Sequence, residues 1–524
     1  MRRWIPALLA AAMAFASGIV QAQTLRWASQ GDPQTMDPHS QNEQLTNAMN
    51  GQVYEFLIGR DRKLELVPQL ATEWKQTSPL QWRMKLRPNV KFQDGTPFTA
   101  DDVVFSINRA KLPTSQIAVY ANAVGEVKKI DDLTVEFNLS QVNPIFLQHI
   151  NTLNIMSKAW CEKHNVTKPL DFKNKEESYA AYNANGTGPY MLVKREPDVK
   201  TVYKRNPNYW GKPEGNVQDV IFTPIKQDAT RMAALMSGEI DFVLDPPPRD
   251  LERLRGGGQV KVLDGLENRI IFLGMDQARD ELLYSSVKGK NPFKDVRVRK
   301  ALYQAIDIET IKSRVMRGAS APTGEMVAPG IKGFVPELNK RLPYDPDAAK
   351  KLLADAGYPN GFEVAMNCPN DRYVNDAKIC EAVAANLARV GVKVNLQTES
   401  KGTYFPKILR RDTSFYLLGW TPGTYDSHNA LIGLMASPAD KGQGQFNLGS
   451  YSNAKLDELT LKIQSETDQT KRNAMIREAF EIHANDIGHL PLHQQALAWA
   501  MKKNVDLVQL ADNNMPFRWV TVKP

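Results

Sequence analysis

Between residues 345 and 396 the spacing of apolar positions changes three times, and each change is punctuated. Ala349, Leu352, Leu353 and Ala356 recur at helical spacing, which places them on one face of a helix. Asp345 stands where a side chain can cap the free N–H groups of a first turn, Pro346 suits the turn itself, and Gly357 ends the run. Phe362-Glu363-Val364-Ala365-Met366 then alternates and predicts a strand. Ile379, Val383, Leu387 and Val390 restore the helical period from about Asp376 to Val390, and Gly391 stops it. Val392-Lys393-Val394-Asn395-Leu396 alternates again. A strand, a crossover helix and a second strand form a right-handed parallel pair.

The same reading predicts a helix at Asp102 to Ala110, introduced by Thr99, and another at Asp295 to Ile306. In the second, Val298, Ala301, Leu302, Ala305 and Ile306 form the buried stripe. A charged helix from about Gln469 to His483 precedes an extended segment, Leu490 to Met501. Short strands alternating with well-signalled helices point to α/β lobes rather than a bundle or a sandwich. The chain has 524 residues, too many for one core of roughly 100–200 residues. Two or three lobes are therefore expected, and without a long Pro/Gly linker or internal repeat they are joined by short crossing strands.

The N-terminus changes the compartment. Arg2 and Arg3 precede an apolar run from Ala7 to Val20, and Val20-Gln21-Ala22 stands ahead of Gln23. That pattern predicts a signal peptide cleaved after residue 22. The run is shorter than the roughly 20 residues needed to span a bilayer. No cysteine stands at the processing point, so a soluble periplasmic protein without a lipid anchor is expected. The formal charge of +8 falls to +6 once Arg2 and Arg3 leave, and the basic residues are scattered. Nucleic acid is excluded as a partner on that ground.

An exported chain with three cysteines leaves one over. Cys368 and Cys380 are the expected disulfide, with Cys161 free; the alternative is three buried thiols. No C-x-x-C or H-E-x-x-H suggests zinc. His483, His489 and His493 are the one histidine cluster, but Pro491 disfavours a helix between the last two and favours a structural role. The sequence also lacks a G-x-S-x-G elbow, a P-loop and a dinucleotide fingerprint. A binding protein is therefore favoured over an enzyme, with no cofactor and no metal. A metal carrier or enzyme built on the three histidines is the alternative from another class.

Ligands of open α/β sheets sit beyond the carboxyl ends of the strands. Two loops meet that condition. The first, 368–376, carries Arg372 and Tyr373; the guanidinium suits a carboxylate, or else it pairs with Asp371 or Asp376 or stays solvated. The second follows Phe415-Tyr416-Leu417-Leu418 and brings Trp420, Thr421, Gly423, Tyr425 and Asp426 into one polar, aromatic loop. Trp420 is alternatively core, and Asp426 alternatively caps a short helix from Ser427.

Several segments in order resemble the family 5 extracellular solute-binding proteins, the dipeptide- and oligopeptide-binding components of bacterial ABC importers. They are Asp37-Pro38, Lys91 to Phe105 (KFQDGTPFTADDVVF), Gly186-Thr187-Gly188-Pro189-Tyr190, Arg205 to Trp210 (RNPNYW), Ser237-Gly238-Glu239-Ile240-Asp241 and Asp295 to Ala301 (DVRVRKA). The resemblance implies a multilobed periplasmic-binding-protein fold with a ligand cleft between two α/β lobes. It implies lobe I from residues 23–53, 184–268 and 488–524, an inserted α+β lobe Ib at 54–183, and lobe II at 269–487, with crossings near Arg269 and Asp486. It further implies a monomer that captures a peptide or peptide-like small molecule and passes it to an inner-membrane ABC permease and its ATPase; a role in sensing or chemotaxis is the alternative. Arg372 falls where dipeptide-binding relatives hold the ligand's carboxylate. Gly423 falls where they carry an aspartate for the ligand's ammonium, so that anchor has moved or gone, and Asp426 is the nearest substitute.

Overall fold

The computed structural model describes residues 23–524; the signal-peptide reading of residues 1–22 lies outside them. One eleven-stranded sheet runs through both lobes. In one half, strand Gln23–Ser29 lies parallel to Val217–Pro224 and to Phe242–Leu244. In the other, Phe362–Pro369 lies parallel to Val392–Glu399 in unbroken register from Phe362 opposite Val392 to Pro369 opposite Glu399. Helix Asp376–Ala388 makes the crossover between them, as the alternating periods predict. It stops two residues short of Val390.

Two long antiparallel strands, Val260–Met275 and Leu490–Lys502, join the halves. Their register slips between Leu266 and Ile270, and Glu267, Asn268 and Arg269 fill the slip with buried polar side chains. On one side of it Leu497, Trp499 and Met501 pack with Leu25, Trp27 and Phe517. On the other, Ile271, Leu273, Leu490 and Leu492 pack with Val298, Leu302, Val364 and Phe415. The strand pair therefore changes core about the slip, and Leu490 and Leu492 pack with the second of these cores.

Strands Ala71–Ser78, Gln81–Leu86, Thr134–Asn138 and Glu126–Asp131 form a separate antiparallel sheet. Its own core gathers Met84, Phe137 and, from helix Ala100–Ala110, Val103 and Ile107. That helix begins at Ala100 because Thr99 is its cap, paired reciprocally with Asp102. Helix Val296–Ala305 is capped by Asp295 and ends one residue before Ile306, which is already extended. Asp345 accepts from Ala348 N at the start of helix Pro346–Asp355. The charged helix runs on from Gln469 to Asp486. No helix among the described residues is long and apolar enough to cross a membrane.

Candidate functional site

Strands Phe362–Pro369 and Phe415–Trp420 are neighbours and parallel, so the loops after them open at one edge. Both face the first lobe's helix Gln44–Asn50.

The Arg372 loop is held from several sides. Cys368 and Cys380 are joined, with Cα atoms 6.6 Å apart, and Cys161 is free and buried. The carboxylate of Asp376 accepts from Arg372 N at 2.9 Å, Tyr373 N at 3.0 Å and Ala377 N at 2.9 Å, which folds the loop onto its helix. Tyr373 OH accepts from Gly419 N at 2.9 Å. A Cβ at position 419 would stand 2.7 Å from the Tyr373 ring, so the strand needs glycine there. Arg372 and Arg269 lie over the same ring, 4.8 and 5.7 Å from its centre.

Arg372 reaches across to the other lobe. Its Nε stands 2.8 Å from Glu43 Oε1, and Lys401 Nζ stands 3.3 Å from Glu43 Oε2. Glu43 also caps helix Gln44–Asn50 by accepting from Leu45 N, Thr46 N and Thr46 Oγ1. Burial alone would raise the Glu43 carboxyl, but Arg372, Lys401 and the Thr46 donors hold it well below the usual carboxylate range. Burial draws the Lys401 ammonium down and pushes the Asp371 carboxyl up. No guanidinium nitrogen of Arg372 makes a hydrogen bond among the described residues, and Nε is buried without one despite its nearness to Glu43.

Three chambers meet around helix Gln44–Asn50. One, narrow, lies behind the Arg372–Glu43 pair and touches Lys401 and Asp245; burial, reinforced by Glu267, pushes Asp245 up to about 6. The second, of about 50 Å³, is walled by Arg372, Tyr373, Phe405, Trp420 and Phe446. The third, of about 230 Å³ and partly open to solvent, includes Gly423 and Tyr425. Thr421 lines the second and the third.

Arg372, Tyr373, Trp420 and Thr421 are thus brought together, and Gly423 and Tyr425 lie just beyond. Trp420 is both core and wall: its ring packs on Phe446 and its Nε1 donates to Asn429 at 2.9 Å. Asp426 is not brought into the cleft. Both its oxygens accept from the Arg472 fork at 2.8 Å, and Oδ1 also takes His428 N; it is the cap and strut of its loop, because a buried carboxylate is closed by the nearest buried guanidinium. The histidines divide as well. His483 Nε2 and His489 Nδ1 are 2.9 Å apart, whereas His493 is buried with neither ring nitrogen bonded. Glu43 and Lys401 were not singled out by sequence. Glu43 precedes a helical period and reads as a cap, but nothing local signals its pairing across the lobes.

The family description "Bacterial extracellular solute-binding proteins, family 5 Middle" matches residues 65–442. The chain is 27% identical over 494 residues to the dipeptide-binding protein of Escherichia coli K12, covering 88% of this chain and 87% of that one. It is 26% identical over 478 residues to heme-binding protein A of Haemophilus influenzae, with 85% and 82% covered. Among solved structures it resembles the periplasmic binding protein DppA of Helicobacter pylori in complex with the peptide STSA, with a TM-score of 0.85 at 23% identity over 96% of this chain and 98% of that one.

Proposed function

The chain belongs to family 5 of the bacterial extracellular solute-binding proteins, and on that premise we propose that it captures a peptide or peptide-like carboxylate for an ABC importer. It is exported through a cleaved signal peptide, works as a periplasmic monomer, and delivers its ligand to the inner-membrane permease and its ATPase. It is a binding protein and not an enzyme.

One observation carries the ligand class: the Arg372 guanidinium, ion-paired with Glu43 but with its buried Nε lacking a hydrogen-bond partner and its terminal nitrogens making no hydrogen bond among the described residues, stands beside an aromatic-walled chamber between the lobes. A planar guanidinium fork takes a carboxylate in two parallel hydrogen bonds. Glu43 stands against the Nε edge as a charge partner. It does not exhaust the local charge, since Arg372 and Lys401 are two cations against one carboxylate held ionised, while burial pushes Asp371 the other way. Tyr373, Gly419 and Trp420 supply the wall, with Tyr425 beyond. A ligand touching both lobes binds the closed form better than the open one and shifts the population to it.

The test is a thermal-shift panel of short peptides as free acids and as C-terminal amides. The acids are expected to raise the melting temperature, the amides to have little effect, and Arg372→Ala to abolish the shift. Equal shifts from acids and amides, or a shift that survives in Arg372→Ala, would overturn the assignment.

A further inference from the structure

The chamber beyond Thr421 is more than twice the volume of the one beside Arg372. Asn42, Gln44, Asn47 and Thr421 line both, so the two are continuous there. Thr421 Oγ1, at the junction, is buried and makes no hydrogen bond.

Past the junction the spare polar atoms are mostly donors. Arg60 is fixed by Nε to Asn151 Oδ1 at 2.6 Å, by Nη1 to Leu64 O at 2.6 Å, and by its stacking 4.1 Å over the Tyr425 ring. Its remaining Nη2 is buried and unpaired, as is Nε of Arg518. Asn154 Oδ1 is the unpaired acceptor on this wall. Buried polar groups left without partners mark positions that a ligand or ordered water fills.

The carboxylates nearby hold hydrogen bonds of their own. Asp512 accepts from Tyr425 OH at 2.5 Å, Asn514 N at 3.0 Å and Asn514 Nδ2 at 2.8 Å. Asp61 takes Lys63 N and Glu65 N within an exposed turn, both on Oδ1. Asp426 is closed by Arg472. Position 423 is open: a Cβ there would meet only Thr152 Cγ2, at 3.8 Å, and the backbone is outside the left-handed region.

We infer that the ligand's second end carries no free amine, passes Gly423 and presents hydrogen-bond acceptors to Arg60 and Arg518 in the larger chamber. The chemical class is a peptide carboxylate acylated at its amino end with a polar or acidic group. This rests on the proposed role of Arg372 for the first end. Donors without acceptors suit carbonyl or carboxylate oxygens, whereas an ammonium there would stand beside the like charges of Arg60 and Arg518.

The experiment uses the mature protein, isothermal titration and two probes: a dipeptide library and the same library N-succinylated. The succinylated library is expected to bind roughly tenfold more tightly or better. Arg518→Gln is expected to weaken the succinylated library by roughly tenfold, and by more than it weakens the free one. Arg60 also braces Tyr425, so Arg60→Gln is the supporting variant and Arg518→Gln the deciding one. Gly423→Asp, which the open space admits, is expected to reverse the preference. If the free library binds as tightly as the succinylated one and both are lost in Arg372→Ala, the inference fails and the carboxylate anchor stands. If neither library binds the folded protein, the anchor fails and the inference with it.

Discussion

Two buried arginine–carboxylate pairs stand close to the same cleft, Arg372 with Glu43 and Arg472 with Asp426, and they are built differently. Arg472 gives both terminal nitrogens to both oxygens of Asp426 at 2.8 Å and its Nε to Ile463 O at 3.1 Å, all within one lobe. Arg372 stands with its Nε 2.8 Å from a carboxylate of the other lobe, yet none of its guanidinium nitrogens makes a hydrogen bond among the described residues. Both pair a guanidinium with a buried carboxylate, although Arg372 is the more accessible of the two arginines. What separates a strut from a binding group is whether its hydrogen-bonding capacity is closed.

Breaking the closed pair should have the largest effect. Asp426→Ala strands the Arg472 guanidinium in the interior, at a cost of about 3–5 kcal/mol. Urea unfolding measures it, and a loss below about 1 kcal/mol would erase the distinction drawn between the pairs. Next comes the support of the open pair. Removing the Cys368–Cys380 bond in a double serine variant frees a loop of 12 residues, with an expected loss of about 3 kcal/mol. Ligand affinity should fall as well, since Arg372 is no longer preorganised.

Glu43→Gln should be milder, about 2 kcal/mol, because Arg372 and Lys401 regain water when the lobes part. Small-angle scattering of the ligand-free variant is expected to give a larger radius of gyration than the parent, and an unchanged radius would deny Glu43 a role in closure. Acid should act in the same direction. Glu43 is held well below its ordinary range, so its contribution is complete above about pH 4.3 and is lost as pH falls through the lowered value.

The smallest effect at neutral pH sharpens the comparison from the other side. His493 is buried with no partner on either nitrogen, and burial, then Arg341, draws it down to about 3. The unfolded chain takes up a proton near pH 6.5 that the folded one refuses, so stability falls as pH drops below that value. His493→Leu is expected to change stability by under about 1 kcal/mol at pH 7.5 and to stabilise by about 2 kcal/mol at pH 5. Equal effects at both values would mean that the ring is not held neutral.

The fold was readable where period and punctuation agreed. The segment 345–396 declares its elements locally, and its parallel register follows from the crossover rule. The loops at strand ends were readable for the same reason, which is why Arg372, Tyr373, Trp420 and Thr421 surfaced together. Partnership was not readable. Arg472 lies 46 residues after Asp426 on another helix, and Glu43 belongs to the other lobe. Arg60, Asp512 and Arg518 reach one chamber from opposite ends of the chain, and no local pattern brings such positions together. The change of core along the last long strand was unreadable for a related reason. Leu490 and Leu492 share one alternating strand with Trp499 and Met501, and only packing shows that the strand changes cores midway.

Native mass spectrometry of protein purified without refolding, run beside Arg372→Ala, tests the central claim most directly. A co-purified ligand that bears a carboxyl group and disappears from the variant is the expected result. The same adduct at equal occupancy in Arg372→Ala would contradict the account, because Arg372 would then be a second strut like Arg472.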